Sequence, residues 1–137
     1  MTEITSHSNK ARLEQVFAET STGNWQPFFE ALAEDASWTI IGSTKWSKSY
    51  QGKAAILNDL MGSLRRVLKL PARTHALRLI AEGDFVAVEG RGENVTQAGK
   101  PYENSYCWVF EFKDGQVWAI TEYADTDLFN TALGDPT

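Results

Sequence analysis

At 137 residues the chain has the length of one domain, and dividing it would leave two pieces too small for good cores. The formal net charge is −5 and no basic run is longer than Arg65-Arg66, which argues against both a nucleic-acid binder and a basic membrane-surface helix. Hydrophobic residues at 42% and charged residues at 23% give a globular balance, while five Trp, four Tyr and seven Phe are enough to fill a core and line a cavity as well.

The N-terminus MTEITSHSNKARLEQ has no apolar run of the signal-peptide kind, and no later segment reaches membrane-spanning length. The single cysteine, Cys107, leaves no internal disulfide framework and reads as a small apolar filler in a strand, so a cytoplasmic protein is expected. A first helix is predicted from Ser8, with Leu13, Val16 and Phe17 as its apolar stripe and Gly23 as its end. Asn24 can cap a second, short helix in which Trp25, Phe28, Phe29 and Leu32 follow the i, i+3, i+4, i+7 spacing of one buried face. Pro27 sits in its first turn, where a missing N–H costs little. A strand over residues 37–42 (SWTIIG) leads into the loop STKWSKSYQG, whose Trp46 and Tyr50 are candidates for a pocket lid or for packing on a neighbouring subunit. A third helix carries Ile56, Leu57, Leu60, Met61 and Leu64 on one face and stops before Pro71.

Beyond Pro71 the hydrophobic period changes to two. Strands are predicted over residues 73–81, 85–95, 102–112 and 117–124, separated by the turn-rich stretches 82–84, 96–100 and 113–115. Asp125 can cap a last short helix bearing Leu128, Phe129 and Leu133. Helices first and long strands second is an α+β pattern: a curved antiparallel sheet wrapped around helices, with an internal pocket.

The last hairpin decides which side chains share a face. A two-residue turn at Asp114-Gly115 pairs Phe112 with Val117 and sets Cys107 opposite Glu122. A three-residue loop over 113–115 pairs Phe112 with Gln116, Tyr106 with Glu122 and Trp108 with Ile120. The second is preferred, because it gathers Asn104, Tyr106, Trp108, Phe110, Ile120 and Glu122 on one face. A carboxylate among rings needs a hydrogen bond or a raised pKa, and a raised pKa is what acid–base chemistry uses. On the neighbouring strand Glu89, Arg91 and Glu93 share one face, with Val88, Gly90 and Gly92 on the other.

The ordered segments AEDASW (33–38), YQGKAAI (50–56) and AEGDFVAVEGRG (81–92), with the later run from Tyr102 to Thr126, resemble the NTF2-like superfamily over nearly the whole chain. Within it they are most similar to the ketosteroid-isomerase-like and SnoaL-like proteins. The resemblance implies a pocket between sheet and helices and a homodimer through the outer sheet face. The steroid-isomerase set does not carry over: its base position falls on Ile40, its tyrosine on Val16 and its oxyanion acid on Asn104. The epoxide-hydrolase set of the superfamily is half present, with Arg91, Glu93 and Glu122 as charged groups but Trp38 and Ile40 where a water would be held. The SnoaL-like cyclases need only a shaped pocket and one acid–base group. Glu122 can be that group, supported by Asn104, Tyr106 and Arg91, with Val16, Trp38, Ile40, Tyr50, Trp108, Phe110 and Ile120 as the expected pocket.

His7 and His75 are too few for a metal site, and no phosphate loop or nucleophile elbow is present, so no metal and no cofactor are expected. Two functions stand side by side. One is a cofactor-free acid–base enzyme on a small apolar substrate. The other is a non-catalytic ligand-binding or dimeric interaction module. A proton-active carboxylate inside an enclosed cavity would separate them.

Overall fold

The computed structural model describes residues 3–136, so Met1 and Thr2 of the leader reading lie outside the described residues. The first helix, α1, runs Glu3–Thr20 and begins ahead of Ser8, which lies exposed within it. Leu13, Val16, Phe17 and Thr20 are its buried face, one side of a 3.6-residue period. Gly23 then takes φ 91° and turns the chain. A Cβ there would lie 2.5 Å from the Pro71 ring, so the turn needs glycine for space as well as for conformation.

Asn24 Oδ1 accepts from Gln26 N (3.2 Å) at the start of α2, Gln26–Ala31. Leu32 was expected on this helix but adopts extended backbone and opens strand β1, Leu32–Ile40. After β2, Ser49–Gln51, comes the long helix α3 over residues 53–67: Lys53–Ala55, a π-helical turn Ile56–Leu60, then Met61–Val67. Strands β3, Arg73–Glu82, β4, Phe85–Val95, β5, Pro101–Tyr102, β6, Ser105–Lys113, and β7, Gln116–Ala124, follow. Asp125 caps the last helix, α4, by accepting from Asp127 N; it comprises Thr126–Leu128 and a second π-helical turn, Phe129–Leu133.

One sheet, in the order β2-β1-β7-β6-β4-β3 with β5 beside β4, curls around the helices. This is the predicted α+β cone, with one correction. The sheet is mixed: β1 runs parallel to β7, Trp38 beside Ile120 and Ile40 beside Glu122. Adjacent strands announce their pairing through the turn between them, but Trp38 and Glu122 are 84 positions apart and no local signal joins them.

The β6–β7 hairpin opens with the two-residue turn, against the preferred three-residue loop, and then leaves that register as well. Asp114 (φ 52°) and Gly115 (φ 77°) form a two-residue turn with two left-handed residues, and Phe112 faces Val117. A bulge then puts one extra residue, Trp118, into β7, so that Glu111 faces Ala119. Trp108 therefore lies opposite Glu122 and Tyr106 opposite Ala124; neither Tyr106 nor Cys107 faces Glu122. The added residue restores the parity that the shorter turn removes. Tyr106, Trp108, Phe110, Ile120 and Glu122 all point inward, as the preferred reading had them, by a different route.

Candidate functional site

Glycine makes room for the rings at the centre. Gly90 of β4 lies beneath Trp108, and a Cβ on it would meet the indole at 2.7 Å and the His75 carbonyl at 2.6 Å. Gly92 similarly lies beside the Tyr106 ring. Phe17 stacks on Trp108 at 5.3 Å between centroids and Tyr106 at 4.5 Å, so the indole is held between two rings. Trp38 of β1 packs against Phe28 of α2.

These two tryptophans converge on one atom. Trp38 Nε1 donates to Glu122 Oε1 at 3.2 Å, and Trp108 Nε1 donates to the same oxygen at 3.1 Å. Among the described residues no donor reaches Oε2. Glu122 is 6% exposed, and burial pushes its carboxyl up to about 7 against the lowering pull of the two indoles. Two neutral donors make a buried carboxylate tolerable without the full charge compensation an arginine would bring.

Glu122, Trp38, Trp108, Tyr106 and Ile40 border a cavity of about 300 Å³, near the lower end for small-molecule sites. Helix residues Trp25, Phe28, Phe29 and Leu60 add apolar wall, and Phe129 and Leu133 of α4 close another side. Both π-helical turns thus touch the cavity, a placement common for such turns at functional sites. The charged residues of the lining are Glu122 and Arg65.

Several expected site residues are elsewhere. Val16, Tyr50, Phe110 and Ile120 are buried in the surrounding core and do not line the cavity. Arg91 and Glu93 are exposed on the outer sheet face, because the inward parity of β4 belongs to Val88, Gly90 and Gly92. Glu93 pairs with His75 at 2.8 Å, which holds its carboxyl below the usual range, and Glu89 pairs with Arg78. The charged trio required by the epoxide-hydrolase pattern is therefore split between two faces.

Asn104 is fully buried but structural: Oδ1 accepts from Ser105 N (2.8 Å) and Asp125 N (3.0 Å), fastening the start of β6 to the end of β7. Trp46, a candidate with Tyr50 for a lid or for packing on a neighbouring subunit, is buried at the cavity wall and donates to the Gly134 carbonyl at 2.6 Å. The helix-borne wall and Tyr102 were not in the expected set. The spacing of Trp25, Phe28 and Phe29 pointed to burial, and nothing in the sequence distinguishes a ring that fills a core from one that borders a void. Among the described residues no three His, Cys, Asp or Glu side chains cluster as metal ligands, and no helix is long and apolar enough to cross a membrane.

The family model for the SnoaL-like domain matches residues 13–120. The chain belongs to the SnoaL-like domain family. No curated protein matches it. Among solved structures, this SnoaL-like domain is similar to an NTF2-like protein of unknown function from Burkholderia pseudomallei, at TM-score 0.79 and 15% identity over 92% of this chain and 97% of that one. A protein from Jannaschia sp. named for the SnoaL-like polyketide cyclases aligns at TM-score 0.77 and 17% identity over 100% of this chain and 98% of that one. TerC, co-crystallized with polyporic acid, aligns at TM-score 0.76 and 18% identity over 92% and 98%. At these identities the likeness is one of fold.

Proposed function

We propose that this SnoaL-like domain holds a small, mostly apolar molecule in its cavity and moves a proton on it without a cofactor, with Glu122 as the proton-transfer group. One observation carries the reading: a buried carboxylate, lining an apolar cavity, has both its donors on Oε1 and leaves Oε2 without one. A carboxyl pushed up to about 7 lies in the range where a group can take and return a proton near neutral pH. Isomerisation, cyclisation, dehydration and hydrolysis all use such a group. That TerC, a protein of the same fold, was co-crystallized with polyporic acid supports the use of this fold to hold a molecule. The single cysteine supports a reducing, cytoplasmic setting.

The test uses a substrate that demands only a base. Nitrobenzisoxazole is flat and aromatic, and it opens to a coloured phenolate when a general base removes its ring C–H proton. The expected result is turnover that rises with pH through about 7. Glu122→Gln should bind the probe comparably and turn it over at least roughly a hundredfold more slowly. The alternative is a pure binding module, favoured by a lining that is mostly apolar. It predicts saturable binding with no turnover above solvent rate, and that result would remove Glu122 from catalysis.

A further inference from the structure

The orientation of the Asn104 side chain has a consequence inside the cavity. Both hydrogen bonds to its Oδ1 come from backbone N–H groups, so Oδ1 must be the carbonyl oxygen and Nδ2 the donor. Nδ2 donates to the Asp125 carbonyl (3.2 Å) and to the Tyr102 hydroxyl oxygen (3.0 Å). The Tyr106 hydroxyl donates to the same Tyr102 oxygen at 3.2 Å. Tyr102 Oη thus accepts twice, and its own proton is spent on neither partner.

Among the described residues the Tyr102 hydroxyl has no acceptor, although Tyr102 is 2% exposed. A buried hydroxyl proton without an acceptor is costly, and donors feeding into an oxygen polarise its O–H bond. Both phenols line the cavity. The vacant donation can be met by whatever occupies it.

We propose that Tyr102, fed by Asn104 and Tyr106, is a hydrogen-bond donor to an acceptor oxygen on the bound molecule, so that the ligand is an apolar body carrying an acceptor oxygen and not a plain hydrocarbon. This rests on the reading of the cavity as a ligand site and requires no proton transfer by Glu122. Burial holds both phenols above their ordinary range, and the Glu122 charge raises them further, so they stay protonated under conditions where Glu122 is ionised.

The matched probes are indanone, which can only accept a hydrogen bond, and indane, the same ring system without the oxygen. Binding is measured at about pH 9, where Glu122 is ionised and cannot itself donate to the ketone. The affinity ratio of indanone to indane should fall about tenfold in Tyr102→Phe, with indane affinity kept, and most of the ratio should survive in Tyr106→Phe. The infrared carbonyl stretch of bound indanone should lie lower in the wild type than in Tyr102→Phe. An unchanged ratio in Tyr102→Phe overturns the proposal, as does a loss confined to Tyr106→Phe, which would make Tyr106 the donor. Retained indane binding confirms that the variant is folded. Because no turnover is read, these outcomes are independent of the Glu122→Gln result.

Discussion

Glu122 shows how one side chain can be anchored without being neutralised. The two indoles fix Oε1 in place while supplying only partial positive charge, so desolvation outweighs them and the proton is held more tightly in the folded chain. A group that binds its proton better when folded favours the native state most below pH 4.5, and that contribution is lost as pH rises to about 7. The loss should be on the order of 3 kcal/mol, read as falling urea midpoints across this window. Glu122→Gln cannot ionise, and its unfolding free energy should fall less by that amount; an equal fall in both would assign the slope to another group. The sequence made Glu122 legible because an acid among alternating rings stands out. It did not reveal the indole donors, since Trp38 comes from a distant strand, and Arg91 and Glu93 entered the expected site through the resemblance to the epoxide-hydrolase set, which says nothing about the face of their strand.

At the level of elements, the β6–β7 hairpin shows why a correct face came with an incorrect register. Side-chain direction has period two, so turn length and bulge count enter only as a sum. The Asp114-Gly115 turn is legible as a dipeptide; the surplus residue beside it is not, because a bulge leaves little mark on composition. Trp118 is partly exposed, with Lys113 Nζ 5.5 Å from its ring centroid, and contributes little to the core. Deleting it should convert β7 to a regular ladder and leave Glu122 opposite Trp108. We expect a folded protein within about 1 kcal/mol of wild type, with turnover of nitrobenzisoxazole retained. Loss of that turnover in a folded deletion variant would show that the bulge itself aims Glu122.

For the molecule as a whole, the cone leaves one broad face outside. Ile80 is 58% exposed, and Phe85 and Tyr123 are each 48% exposed, with Cys107, Val109 and Thr121 half-buried between them. Ala87 lies beside Ile80 on one side and Val109 on the other, so the apolar surface continues across three strands. Apolar surface of this continuity favours a covering partner, and we propose a second copy of the chain. Light scattering at micromolar concentration should give twice the 15.3 kDa chain mass, and Val109→Lys should return it to one. A wild-type monomer would refute the proposal. The α+β cone was legible because the change of period at Pro71 divides helices from strands. The parallel pairing was not, since its two strands lie at opposite ends of the sequence.

That pairing has a consequence for synthesis. The last strand in chain order among the described residues, β7, is not an edge; it lies between β1 and β6, paired to both. Until it emerges, two long strands expose unmatched backbone N–H and C=O groups, the template for joining another chain. The cavity has neither its carboxylate nor the strand that carries it. A stalled nascent chain ending at Gly115 should therefore bind chaperones and aggregate on release, while extension past Ala124 should suppress both. A released Gly115-terminated chain that stayed soluble and monomeric would show that the sheet can close without its central strand.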